Sequence, residues 1–562
     1  MGEETTIMGT VLSVVFQNEE NGYAVLRLVT DDGELLTLVG CVPCAAPGEN
    51  LTATGSFSSH PQYGEQFSAS EVERYLPSNE TEILNYLASG IVRGVGPATA
   101  EKLVARFGIE TLQVLESEPE KLTAIKGMTA RRAQEISAAF NEQMGLRRVM
   151  EFLAHYDLPA ALSVPLYRRF GANAMAALER NPYLLSDSAF GVDFSVCDEI
   201  ALSMGFGGDA SLRTEAGLTF ELSHNRDAGG HVFLPREKLL AATAQLLDCD
   251  VDAVEKSLDD LIAIHRIVQE GVANVTACYL RQSWEDETYV VTRIEAMLAD
   301  KPDALRGVER VIKEIEREQG VQYAPLQRQA VELAAKEELL LLTGGPGTGK
   351  TTTVNAILQL LEHQADRVAL CAPTGRAAKR LSELTGRKAS TIHRLLEVDY
   401  SGGVVSFIHN DKNLLKCDVV ILDEMSMVDV KLFQALIAAL RYSCRIIMVG
   451  DADQLPSVGP GNILGEVIRS GLVPTVCLNE IFRQARRSLI VENAHHIISS
   501  EPLQKGGKTD DFFFLESDGD AAQKLVCDLV TTRLPRSYGF DPVRDIQVLC
   551  PTKLGPTGTQ AL

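Results

Sequence analysis

The sequence predicts a multidomain α/β protein in which a parallel-sheet domain follows a small β-barrel and a helical region. Three observations carry this expectation. Short β-type runs broken by Gly-containing turns fill the first 77 residues, helical periodicity takes over from Glu80, and apolar runs alternate with helices from Ala324 onward. At 562 residues the chain exceeds one compact core, and with roughly 100–200 residues per domain about three to five domains are expected.

The first region, residues 1–77, contains the runs TVLSVVF, GYAVLRLV, LLTLVG, LTATGSF and QFSASEVE. Asn21-Gly22 and Asp32-Gly33 read as hairpin turns, since glycine accepts the positive φ that such turns need. Five short strands of this kind suggest an OB-like barrel.

Residues 78–210 read as helical, with two similar segments, IVRGVGPATAEKLVARFG (91–108) and LTAIKGMTARRAQEISAAF (122–140). Each places a glycine-containing tight turn before an amphipathic helix. This resembles the helix-hairpin-helix, in which backbone N–H groups at a helix N-terminus hold a DNA phosphate. Gly94 and Gly96 are the candidate DNA contacts of the first copy. The second keeps Gly127 but has Thr129 where the later glycine is expected. A glycine-capped helical bundle without a ligand is the competing reading. A related pattern runs through residues 181–206. Residues 211–318 mix helices with the extended stretch IVQEGVANVTACYL and suggest a winged-helix-like unit of unread function, with Glu309–Gly320 as a charged helical linker.

In residues 319–475 the runs LLLLTG, RVALCAP, DVVILDE and RIIMVGD each carry polar residues at their C-terminal ends, as strands of a parallel sheet do around a nucleotide. The segment Gly344-Gly345-Pro346-Gly347-Thr348-Gly349-Lys350-Thr351 satisfies GxxxxGK[ST] between a strand and a helix. Gly345, Gly347, Thr348 and Gly349 would wrap the phosphates, with Thr352 in the next helical turn. Lys350 would place its cation at the β/γ-phosphates, and the Thr351 hydroxyl would complete a Mg²⁺ shell. Asp423 and Glu424 end the strand VVILDE: Asp423 suits Mg²⁺ coordination through water, and Glu424 suits activation of the attacking water. Gln454, in GDADQLPSVGPG, is the candidate γ-phosphate sensor. Arg483, in LNEIFRQA, is the candidate for neutralising transition-state charge. ATP and Mg²⁺ are thus the expected cofactors.

Acidic residues outnumber basic ones by 76 to 53, a net charge of −23, which argues against loose coating of duplex. The stretch from Arg367 to Arg394 nevertheless holds seven basic residues against the single acid Glu383, beside the nucleotide motifs. Mean hydropathy is near zero, and no run approaches the ~20 apolar residues of a membrane span. The start lacks the pattern of a secretory signal; a cytoplasmic protein is expected. Eleven cysteines are scattered. Cys41 and Cys44 form one CxxC without a second pair at zinc-ribbon spacing, so they read as plain thiols beside a turn.

The ordered strings GGPGTGKTTT, APTGRAAKRL, TIHRLL, ILDEMSMVD, GDADQLPSVGPG and LNEIFRQ resemble the RecD-like superfamily 1 DNA helicases. The barrel start and helix-hairpin-helix region resemble the long amino-terminal form of that family. The resemblance implies a P-loop RecA-like motor in residues 319–475 that couples ATP hydrolysis to 5′→3′ movement on single-stranded DNA, in repair or recombination. It implies that Gln327 reads adenine, with Gln329 as the other register. It implies single-strand contacts at Thr374, Arg376, Thr391 and His393, and a strand-separating hairpin at 397–416. Single-stranded DNA and single/double-strand junctions would be the partners. The family pattern continues with motifs near GxxxTxHKxQG and YTAxTRA, and neither is in this sequence. Residues 476–562 are therefore expected to be an incomplete second RecA-like domain of a fragment or truncated form, with unwinding impaired and the strand DIQVLC exposed. The alternative is a DNA-structure-binding protein that uses nucleotide only as a switch.

Overall fold

The computed structural model describes the chain apart from residues 1–4, 19–21, 31, 43–44, 61–63, 78, 188, 208–209, 300–306, 363–366, 400–405, 481–487 and 508–510. Strands β1 (Thr5–Gln17), β2 (Tyr23–Thr30), β3 (Leu35–Cys41), β4 (Asn50–His60) and β5 (Gly64–Tyr75) close into a barrel in the order β1-β2-β3-β5-β4. Closure follows from period-two patterning: Ala24, Leu26 and Leu28 on β2 point inward to meet Leu38, Ala53 and Phe67. Arg74 and Glu49 are both buried and joined by Nη2–Oε1 (2.7 Å) and Nε–Oε2 (3.1 Å) hydrogen bonds where β5 leaves the barrel.

The helical region begins with helices Glu80–Ala88, Pro97–Phe107 and Thr111–Ser117 and the long helix Ala130–His155. Leu87, Leu103, Leu115, Leu122, Ile136 and Phe140 form their common core. Helices Ser163–Phe170, Ala174–Arg180 and Phe194–Ser203 pack around a second core with the end of the long helix. The Arg213 guanidinium ties this layer to the next. It donates to both Asp198 oxygens (2.8 and 2.7 Å) and to Leu247 O (2.9 Å), while Tyr183 donates to Asp198 (2.6 Å).

Next come helices Ser211–Gly229, Arg236–Leu247 and Val251–Ala263 and strands β6 (Phe233–Pro235), β7 (Ile267–Val272) and β8 (Val275–Leu280). The sheet order β6-β8-β7 is antiparallel, giving the helix, strand, helix, helix, hairpin succession of a winged helix. The following helix, Arg281–Ala299, lies on the motor domain, where Val290 and Met297 enter the core. On that helix Arg293 donates to Leu440 O (2.9 Å), with its guanidinium 3.6 Å from the Tyr442 ring centroid.

The motor sheet contains β9 (Leu339–Gly344), β10 (Val368–Ala372) and β11 (Ala389–Thr391). A side ribbon of β12 (Val398–Asp399) and β13 (Ser406–Phe407) precedes β14 (Val419–Leu422), β15 (Arg445–Gly450) and β16 (Thr475–Leu478). The sheet is parallel throughout, in the order β11-β10-β14-β15-β9-β16. Helices cover both faces, so β9, β14 and β15 are buried along their whole length and mostly apolar.

Three sequence expectations are corrected. Helix Val308–Gln319 is no free linker, because Val311, Ile312 and Ile315 are buried in the motor core. β16 belongs to the motor sheet, so the boundary at residue 475 falls inside a strand; Val476 and Leu478 alternate into the core beside β9. The described part of residues 488–562 holds helices and no strand, and DIQVLC starts in a turn at Asp545 and continues as irregular chain without strand pairing. A parallel strand needs a neighbour for its backbone N–H and C=O groups, and none lies beside this stretch among the described residues.

Candidate nucleotide site and DNA-facing surface

The strand ends of β9, β14 and β15 converge on the P-loop. A Cβ on Gly344 would lie 2.5 Å from Leu478 O, which leaves room only for glycine. Gly347 (φ 75°) and Gly349 (φ 84°) take the left-handed conformations that turn the loop. Thr348 is buried and donates to Gly345 O (2.8 Å), bracing the loop from within. Lys350 opens helix Lys350–Glu362, with Thr351 and Thr352 in its first turn. Its Nζ donates to Gly344 O and to Gly345 O (3.1 Å) and lies 3.9 Å from the Asp451 carboxylate.

Gln327 is the third residue of helix Pro325–Ala334 and is buried. Its Oε1 accepts from Ala324 N (3.0 Å) and its Nε2 donates to Gly349 O (3.4 Å), so it fastens this helix to the P-loop. Gln327, rather than Gln329, is the glutamine in contact with the loop.

After β14, Asp423 N donates to Cys371 O (2.9 Å) and the Asp423 carboxylate accepts from Glu424 N (2.9 Å). Glu424 has φ 54°, a left-handed backbone that is costly for a residue with a side chain. Burial pushes both carboxyls above their usual range. For Glu424 the neighbouring Asp423 charge adds to the rise, while Lys350 and Arg380 pull both down. Gln454 accepts from Ser426 Oγ (3.4 Å) and reaches Asp451 Oδ2 (3.5 Å). Lys350, Asp451, Gln454 and Ser426 thus form one polar chain across three strand ends.

Asp451, Ser426 and Arg380 were missed by sequence reasoning. Asp451 had a legible signal, since it directly follows the apolar strand β15 as Asp423 follows β14. Arg380 had none, because helical phase alone does not say which residue of a basic helix faces the carboxylates. Arg483 lies outside the described residues.

The expected single-strand contacts sit on one side of the sheet. Thr374 caps helix Gly375–Thr385 by accepting from Ala377 N (3.2 Å), and Thr391 caps helix Ile392–Leu396 by accepting from Arg394 N (3.1 Å). Arg376 and His393 are exposed; Arg376 donates to Gln547 (3.3 Å), and the His393 ring lies 5.8 Å from that of Phe407 on β13. The Ser401-Gly402-Gly403 turn between β12 and β13 lies outside the described residues. Part of the basic segment is neutralised, as Arg367 pairs with Asp418 (3.0 Å) and Arg387 with Glu362 (2.6 Å).

Both hairpin copies make the same turn. Val95 N donates to Val92 O and Met128 N to Ile125 O, each at 3.0 Å, with Gly94 at φ 93° and Gly127 at φ 91°. Gly96 and Thr129 are the N-caps of the following helices. Gly96 has φ −105°, an ordinary extended value, and a Cβ there meets nothing within 4 Å. Its place in the turn is thus explained by open approach to the helix N-terminus, not by backbone freedom. The Thr129 hydroxyl accepts from Arg132 N (3.2 Å), so the second copy fills with a side chain what the first leaves open.

Among the described residues no group of three or more His, Cys, Asp or Glu could hold a metal, and no helix is long and apolar enough to cross a membrane. Burial pushes the Cys41 thiol up to about 11; its partner Cys44 lies outside the described residues.

The sequence matches four family models: the OB-fold domain of ATP-dependent DNA helicase YrrC (residues 4–77), a SAM-like helix-hairpin-helix tandem (86–142), the helix-hairpin-helix domain of ATP-dependent RecD2 DNA helicase (142–233) and an AAA domain (327–460). It is 28% identical to the ATP-dependent RecD2 DNA helicase of Deinococcus radiodurans over 98% of this chain and 75% of that one. Similarity to the RecBCD enzyme subunit RecD of Mycolicibacterium smegmatis is 37% identity over 34% of this chain and 37% of that subunit. The ATP-dependent DNA helicase dda of Enterobacteria phage T4 is 39% identical over 22% of this chain and 30% of its own length. With barrel, hairpin tandem and P-loop sheet in this order, the chain is similar to the RecD2 DNA helicases along nearly its whole length.

Proposed function

We propose that this chain is an ATP-dependent DNA helicase that couples hydrolysis on its P-loop to 5′→3′ movement along single-stranded DNA, in repair or recombination. The observation that carries the reading is the polar chain from Lys350 through Asp451 and Gln454 to Ser426, beside Asp423 and Glu424. It joins phosphate binding, water activation and the loop after β15 in one unit. The residues fit Mg²⁺: one hydroxyl (Thr351) and one carboxylate (Asp423) are hard oxygen donors, and Mg²⁺ ordinarily completes its shell with water and substrate phosphates. When bound it would neutralise charge on the phosphates. Glu424 would orient and deprotonate the attacking water, Lys350 would stabilise charge at the β/γ-phosphates, and Gln454 would report the γ-phosphate to its loop. Arg483 would add a transition-state cation, and Gln327 would read adenine.

Thr374, Arg376, Thr391 and His393 would hold the single strand, the β12–β13 ribbon would part the strands, and the turns at Gly94 and Gly96 would grip phosphates of a junction. The reading divides the chain into barrel, hairpin, winged-helix-like and motor units, with residues beyond β16 belonging to a further motor half and cytoplasmic DNA as the partner. A nucleotide switch without turnover is not favoured, since it needs neither Glu424 nor Gln454. ATP turnover with and without single-stranded DNA tests the choice, with stimulation by DNA expected. Lys350→Ala should abolish turnover and leave DNA affinity largely intact; unchanged turnover in that variant would remove the P-loop from the mechanism.

A further inference from the structure

Helix Leu489–Ile498 carries two adjacent histidines with different surroundings. His496 is committed to its own segment, with Nδ1 at 3.1 Å from Pro502 O and Nε2 at 3.5 Å from Glu501. His495 instead reaches the P-loop. Its Cε1 lies 3.0 Å and its Nε2 3.7 Å from where a Cβ on Gly345 would stand. Among the described residues His495 Nε2 is a buried nitrogen without a hydrogen-bond partner. Such an atom loses its water without replacement, and in a folded protein it calls for an explanation. The helix is tied to the segment that follows it: buried Asn493 accepts from Gln504 N (2.7 Å) and donates to Gln504 O (3.0 Å).

Gly345 is also where the Lys350 ammonium rests, 3.1 Å from the Gly345 carbonyl oxygen. Imidazole and ammonium therefore flank the same loop residue. In a P-loop the lysine marks the β/γ-phosphate side. We infer that His495 donates from Nε2 to a terminal phosphate oxygen of the bound nucleoside triphosphate. It thereby distinguishes triphosphate from diphosphate and links that difference to the segment beyond β16. This inference rests on the P-loop binding ATP. No chemical step is assigned to His495; its role is recognition of the charge that hydrolysis removes.

The test uses the full chain and two fluorescent probes, a mant-labelled ATPγS and mant-ADP. His495→Ala should weaken binding of the triphosphate analogue roughly 10–100-fold, the usual range for a hydrogen bond to a charged group, and leave mant-ADP unchanged. His495→Gln, whose amide nitrogen can occupy the place of Nε2, should restore most of the preference. Equal weakening with both probes, no change with either, or no rescue by glutamine overturns the inference. Should His495→Ala fail to fold, His495→Phe, which keeps a ring in the same place and removes Nε2, should show the same triphosphate-selective loss; its absence overturns the inference as well. A wild-type chain that binds neither probe refutes ATP binding itself, an outcome distinct from a chain that binds both and ignores position 495.

Discussion

Glu424 stands at a left-handed backbone position between half-buried Asp423 and Ser426, which donates to Gln454. A positive φ is costly for a residue with a side chain, and such positions cluster at functional sites. Glu424→Gln should therefore keep nucleotide affinity and slow hydrolysis by about 10²–10⁴-fold, the usual contribution of a general base. Equilibrium binding and single-turnover hydrolysis check this, and loss of binding would reassign Glu424 to structure. Much at this scale was legible, because P-loop and strand-end residues are tied to sequence by short covalent spacing. Asp423, Glu424 and Gln454 meet Lys350 only because β14 and β15 pair side by side next to β9. The contributions of Arg380 and His495 were illegible, since they depend on helix rotation and on where a later segment returns.

At the scale of elements, the two hairpin turns share a backbone and differ at their caps. Gly94→Val meets both a positive φ and Ile136 at 3.3 Å, so it should damage the fold as well as any contact. Gly96→Val has an allowed backbone and open space, which makes it the cleaner probe. It should weaken binding to forked DNA and leave ATP turnover on short single strands unchanged; equal loss of both would indicate misfolding. The Asp198–Arg213–Tyr183 cluster makes a second prediction. Burial raises the Asp198 carboxyl, but hydrogen bonds from Arg213 and Tyr183 outweigh it and leave the group below its usual range. A depressed carboxyl stabilises the fold above its unfolded value, and that stability drains away as pH falls through the folded one. Asp198→Asn should thus lower the melting temperature at neutral pH, by a free energy on the order of 3 kcal/mol for a broken buried pair. It should also flatten the decline below about pH 4, the unfolded carboxylate range; an unchanged acid limb in thermal melts would sink this account. The barrel's alternation and the hairpins' turn glycines announced these elements in the sequence. The cluster did not, because its members stand 15 residues apart on three separate helical segments that only tertiary packing brings together.

The molecule as a whole is joined along helix Arg281–Ala299, whose Arg293 reaches Leu440 O and the Tyr442 ring. Arg293→Ala should cost on the order of 2 kcal/mol through the lost hydrogen bond and cation–π contact. Calorimetry should then show the motor melting apart from the units before it; a single unsplit transition would mean the joint lies elsewhere. The order of domains was readable from changes in hydrophobic period. Their borders were not, because helix Val308–Gln319 and β16 are short amphipathic pieces that tertiary packing alone assigns. A second joint is smaller. Gly461 N donates to Gly230 O (2.9 Å), so the loop that begins at Asp451 and carries Gln454 ends on the turn after helix Ser211–Gly229. Thermodynamic linkage makes that contact a two-way street. If nucleotide shifts the loop and thereby changes how tightly the amino-terminal half holds DNA, then DNA held there must change nucleotide affinity by the same factor. A nucleic-acid tether far from the P-loop would act as an effector of it, measurable as two equal affinity ratios on the two arms of a closed cycle.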